Sequence, residues 1–97
     1  MENKEMLVEL IKEGYIDSSG FLTKKYLDEF RKELGEAIRK QREKHYSSCY
    51  ASSKASGVNP TTALNIENGE MNYSIDNLIK SLSAINCSLS IVSNDNQ

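Results

Sequence analysis

The run Asn59-Pro60-Thr61-Thr62-Ala63-Leu64-Asn65-Ile66-Glu67-Asn68 gathers carboxamides and hydroxyls on one short segment bracketed by turn signals. Asn59, Thr61, Thr62 and Asn65 are the groups in it suited to reading a base edge. An asparagine donates and accepts side by side, matching adenine N6 and N7, and a threonine hydroxyl takes either role. Such reading requires the side chains to protrude from a rigid element that fits a major groove. The local signals supply a helix. Asn59 is a favoured N-cap, and Pro60 falls at the first helical position, where its missing N–H is no loss. Asn68-Gly69 stops the helix after barely two turns. A helix that short is unstable alone, so neighbouring elements must hold it.

Other chemistry is poorly served. There is no Ser/His/Asp arrangement, and Cys49 near His45 is the only nucleophile-plus-base neighbourhood, without an assignable oxyanion donor or orienting carboxylate. No enzymatic activity is expected. Cys49 and Cys87 match neither a metal-ligand nor a disulfide-scaffold spacing, so both are read as reduced thiols. With one histidine, no metal and no cofactor are expected. Apolar runs are short and a signal-peptide pattern is missing, which predicts a soluble, cytoplasmic protein with no membrane partner.

The 97 residues suit one domain with one modest core. Their net charge of −2 looks wrong for a nucleic-acid binder until its distribution is read. Glu2, Glu5, Glu9, Glu13, Asp17, Asp28, Glu29 and Glu33 crowd the first third of the chain. Between Glu43 and Glu67 there is no acid, while Lys44, His45 and Lys54 lie inside that window and Arg39, Lys40 and Arg42 just before it. The field that matters to a phosphate is that of the contacting face.

Around this segment the pattern predicts helices. Met6, Leu7, Leu10 and Ile11 share one face of a first helix that ends at Gly14. Asp17-Ser18-Ser19-Gly20, between Tyr15-Ile16 and Phe21-Leu22, predicts either a small hairpin or an ordered loop. Thr23 caps a long amphipathic helix from Lys24 to about Lys44, striped by Leu27, Phe30, Leu34, Ile38 and Gln41. Gly35 within it marks a bend, a close helix crossing or a boundary between two helices. Ser47 or Ser48 caps a short helix to about Ser56, stopped by Gly57. Ser74 caps another, with Ile75, Leu78, Ile79, Leu82 and Ile85 on one face, which Asn86 closes. Ser88-Leu89-Ser90-Ile91-Val92 alternates and reads as one short strand. A lone strand must find its partner in a second copy, so Leu89, Ile91 and Val92 are expected to build a dimer strand. Residues 93–97 are read as a disordered tail.

From Leu34 to about Leu89 this order of elements resembles the helix-turn-helix family of phage Cro and repressor proteins and their bacterial relatives. The resemblance rests on Leu34-Gly35-x-x-Ile38-Arg39-x-x-Arg42, Ala55-Ser56-Gly57-Val58, Ile66-Glu67-Asn68-Gly69 and Ser74-Ile75-x-x-Leu78. It implies an all-α, lambda-repressor-like bundle over residues 34–92, with residues 1–33 as an N-terminal helical extension. It also implies a structural ion pair between Arg42 and Glu67. The chain departs from the family pattern at Cys49, where a phosphate-binding glutamine is usual. Further departures are Ser52, Ser53 and Ala63, which replace larger or more apolar residues, and Leu64, which falls at a position that usually faces DNA.

The resemblance implies a sequence-specific regulator, a repressor by default, that binds double-stranded DNA as a homodimer. Asn59, Thr61, Thr62 and Asn65 would meet bases, and Ser48, Lys54, Asn68, Asn72 and Tyr73 would hold phosphates. The alternative is an antitoxin-type protein that grips a toxin partner through the N-terminal extension and represses its own operon.

Overall fold

The structure is a computed structural model that describes residues 11–70 and 73–93. Met6, Leu7, Leu10, Asn72 and the tail from residue 94 lie outside these residues, as do the expectations attached to them. All regular structure among the described residues is helical. Four helices follow one another: α1 (Lys24–Arg42), α2 (Cys49–Ser56), α3 (Pro60–Asn68) and α4 (Ile75–Ala84). Residues 11–13 are also helical and end at Gly14.

Each helix opens where a short polar side chain can take an orphan N–H. Thr23 accepts from Tyr26 N, Ser48 from Ala51 N at 3.1 Å, Asn59 from Thr61 N at 2.8 Å and Ser74 from Asn77 N at 3.1 Å. Such caps contribute about 1 kcal/mol apiece. Ser48, rather than Ser47, is therefore the cap of α2. Beyond α4, Asn86 takes a left-handed conformation with φ 58, and the chain leaves the helix there.

The core is built where the inward stripes of α1, α3 and α4 meet. Ile38, Ile66, Leu78, Leu82 and Ile85 form its buried cluster, with Leu34, Tyr46, Tyr73 and Cys87 packed around it. Helix α2 adds little bulk: its buried residues are Ser52 and Ser53. The Ser53 hydroxyl donates to the Tyr50 carbonyl at 2.7 Å, which satisfies it inside its own helix. Ser81, facing inward from α4, is buried with no hydrogen-bond partner for its hydroxyl. Small side chains thus let α2, α3 and α4 approach closely.

Helix α1 runs unbroken through Gly35, and of the three readings for that glycine the structure selects the close crossing. A Cβ added there would stand 2.5 Å from the Ile66 carbonyl oxygen and nearer still to that of Glu67. Gly69, left-handed at φ 68, makes the reciprocal approach: a Cβ on it would lie 2.6 Å from Lys32 Cα. Two glycines, one on each element, allow the end of α3 to rest directly on the backbone of α1.

Ahead of α1, residues 15–23 make a hairpin-sized turn with a single antiparallel bridge, Ile16 to Leu22, and no strand. Asp17 organises it by accepting from Ser19 N and Phe21 N. The Thr23 hydroxyl donates to the Gly14 carbonyl, and the Tyr15 ring meets Tyr26 edge-on, its centroid 6.1 Å away. The turn is thereby docked on the first turn of α1.

The expected C-terminal strand does not form. Residues 87–93 carry no regular secondary structure, and no strand occurs among the described residues. The polar–apolar alternation at Leu89, Ile91 and Val92 predicted a strand, but a strand needs a second row of N–H and C=O groups to pair with, and among the described residues none lies beside it. Leu89 folds back to border a depression with Ile79 and Leu82, whereas Ile91 is fully exposed. Leu89, Ile91 and Val92 therefore form no dimer strand.

Gly35→Ala should destabilise the protein by about 1–3 kcal/mol, the usual range for overpacking a filled site. Gly20, which has nothing within 4 Å of an added Cβ, provides the contrast. At φ +88 its alanine variant bears only conformational strain. Urea unfolding of both variants measures the difference, and equal losses would contradict the close crossing.

Candidate nucleic-acid interface

The two-turn helix α3 packs against each of the other three helices. Its inward residues are Ala63, Ile66 and Glu67, at the spacing that keeps one helical face turned to the core. A buried carboxylate requires a partner, and Arg42 provides one. Its Nε and one terminal nitrogen each donate to Glu67, both at 2.9 Å, in a two-pronged pair that is buried on both sides. Arg42 also reaches the Tyr46 carbonyl at 3.4 Å. Its hydrogen bonds to the Glu67 carboxylate hold the guanidinium pKa above its ordinary value despite burial. Arg39 adds a longer contact to Glu67 at 3.7 Å and donates to the Asn68 side-chain oxygen at 3.2 Å. The expected Arg42–Glu67 pair is therefore present, and it ties the last turn of α3 to the last turn of α1.

Cys49 opens α2 beside this pair. Burial pushes its thiol pKa up to about 11, and the Glu67 carboxylate pushes in the same direction by repelling the thiolate and accepting from the thiol. A thiol kept protonated is a poor nucleophile. His45 stands in the turn after α1 and is exposed.

Of the candidate base-reading groups, Thr61 and Asn65 fall opposite the inward residues by helical spacing, while Asn59 caps the helix and Thr62 stands on its flank. Asn59 and Thr61 are exposed, and Thr62 and Asn65 half-buried. The Asn59 side-chain oxygen is engaged in capping Thr61 N, which leaves its amide nitrogen as the group available to a base. Among the candidate phosphate contacts, Ser48 and Lys54 are exposed, at the start and in the last turn of α2. The Lys54 ammonium sits 5.2 Å from the centre of the Tyr50 ring. Asn68 is exposed, but its oxygen is engaged by Arg39. Tyr73 packs against the core cluster, and burial raises the pKa of its hydroxyl. Asn72 lies outside the described residues.

Two residues on this face had been given no contact from the sequence, although the resemblance already put Leu64 at a position that usually faces DNA. Tyr50 and Leu64 both stay outward and do not fill the space left by Ser52, Ser53 and Ala63. The spacing agrees for Leu64, since it follows Thr61 by three residues and both lie on one helical face; Tyr50 had no such signal. Among the described residues there is no cluster of three metal-ligating side chains and no helix long and apolar enough to cross a membrane. No family model, no curated protein and no solved structure matches the chain.

Glu67→Gln leaves the Arg42 charge buried without its counter-ion and should destabilise the fold by about 3–5 kcal/mol, measured by denaturant midpoint. A loss below 1 kcal/mol would mean the pair is not structural. In the unmodified protein, initial rates of Cys49 alkylation should keep rising with pH toward about 11, the value set by burial and Glu67. A plateau near pH 8 would contradict that environment.

Proposed function

We propose that this chain is a cytoplasmic, sequence-specific regulator of the Cro/repressor helix-turn-helix type that binds double-stranded DNA as a homodimer and represses by occupying its operator. The observation that carries the reading is the mounting of α3. Its inner face is locked to α1 through Arg42, Glu67 and the Gly35 crossing, while Asn59 at its cap and Thr61 in its first turn are exposed. A short helix presented this way suits the major groove, which is wide enough to admit an α-helix. The acid-free window adds Lys54 on α2 and Lys44 and His45 in the preceding turn, all exposed, as partners for phosphate.

Dimerisation in this proposal uses apolar packing and not a shared strand. Ile79, Leu89, Ile91 and Val92 are exposed at the α4 and C-terminal end, more apolar surface than a monomer gains by showing. Two recognition helices related by a two-fold axis would address half-sites roughly 34 Å apart.

A second reading, an antitoxin-type protein with a toxin partner, is favoured by one observation. Phe21, Leu22, Leu27 and Phe30 are large apolar residues left exposed on the extension and the start of α1. Deleting residues 1–22 separates the two: unchanged dimerisation and DNA binding assign the extension to partner docking.

Selection from random duplexes followed by gel shifts at two salt concentrations tests the proposal. Failure to enrich any sequence would overturn it. On the selected operator, Asn65→Ala should relax preference at one position, by about 1–3 kcal/mol of discrimination, and keep non-specific binding. Lys54→Ala should weaken every sequence alike and reduce the salt slope by about one. Uniform weakening by Asn65→Ala would refute its base-reading role.

A further inference from the structure

Two large apolar side chains stand uncovered on the face that the DNA-binding reading turns toward the duplex. Leu64 is 49% exposed on α3, and Tyr50 is 59% exposed in the first turn of α2. Leu64 follows Thr61 by three residues and precedes Asn68 by four, so the three share one side of the helix. Thr61 and Asn68 are exposed as well. Leu64 is not a core residue left outside for want of room, because Ala63 and Ile66 already occupy the inward positions. Between the first turns of α2 and α3 lies a shallow depression of about 260 Å³, lined by Cys49, Tyr50, Pro60, Thr61 and Leu64.

The chemistry of this spot differs from that of its neighbours. A leucine side chain has no donor and no acceptor. In the major groove the apolar group that a base pair displays is the C5 methyl of thymine. A purine opposite Leu64 would set N7 and its polar neighbour against hydrocarbon and lose water without gaining a hydrogen bond, and cytosine would offer no methyl to pack on. Tyr50 forms the second wall, and the Lys54 ammonium over its ring joins that wall to a cation suited to the adjoining phosphate.

We infer that Leu64, backed by Tyr50, reads a thymine methyl group, so that each operator half-site carries one thymine facing it. The inference rests on the DNA-binding reading above and adds to it a base identity at one position. Threonine and asparagine contacts specify through hydrogen bonds; this contact specifies through shape and dryness.

Deoxyuridine tests it with the unmodified protein, because uracil keeps every hydrogen-bonding edge of thymine and lacks only the methyl. In the selected operator, each thymine is replaced in turn by deoxyuridine and the Kd measured. One position per half-site should weaken binding about fourfold, the worth of one buried methyl-sized group. In Leu64→Ala that position should become insensitive, with thymine and uracil bound alike. An operator that binds equally well with uracil at every position would overturn the inference while leaving the DNA-binding reading intact. So would a Leu64→Ala protein that keeps the full uracil effect, or one that loses its dimer in sedimentation without DNA. Failure to select any operator would overturn both together.

Discussion

The last turn of α3 is fixed to α1 by a buried carboxylate gripped by a guanidinium, and the rest of the structure depends on that attachment. The geometry is two-pronged, with both oxygens of Glu67 engaged by Arg42 at 2.9 Å. A single charge in that position would be intolerable, and the pair is tolerable only because the two helices are brought within reach elsewhere. Gly35 and Gly69 do that. Where they touch the opposing backbone, no side chain fits, so the approach of α3 to α1 is set by main-chain contact. Steric fit decides the distance and electrostatics decides the register.

This arrangement explains how a nine-residue helix can stay rigid with a modest apolar face. Its neighbours contribute serines where bulk would be usual, and Ser52 and Ser53 are buried beside it. The α2 side therefore gives α3 a close but weakly hydrophobic seat, since small side chains bury little apolar area. The firm side is α1, where Ile38 and Ile66 meet in the core cluster and the ion pair closes the helix end. The outward surface inherits its precision from that side. Leu64 and Tyr50 remain exposed because nothing inside calls for them.

Much of this was legible in the residues. Caps at Thr23, Asn59 and Ser74 and the stop at Gly69 followed from residue type and spacing, because each depends on short-range hydrogen bonding; the Arg42–Glu67 pairing came instead from the family resemblance, and its physical sense is that a carboxylate against the core needs a partner. Gly35 was ambiguous for a physical reason: a glycine in a helical stripe signals clearance, and what it clears, Ile66 and Glu67, lies far along the chain. The C-terminal alternation misled because period-2 hydrophobicity reports an extended backbone and says nothing of whether a neighbouring strand exists to pair with it. Leu89, Ile91 and Val92 carry no regular secondary structure. The engagement of Asn68 by Arg39 was likewise hidden, since an exposed asparagine can serve its own fold as readily as a ligand.

If α3 is held as described, it cannot open without undoing α1. Native-state hydrogen exchange reads this directly through the amides of Ile66, Glu67 and Asn68 and that of Ile38 in α1. The account predicts that all four exchange through the same opening, at the free energy of global unfolding. Exchange of the α3 amides at a clearly lower free energy, with Ile38 still protected, would contradict it.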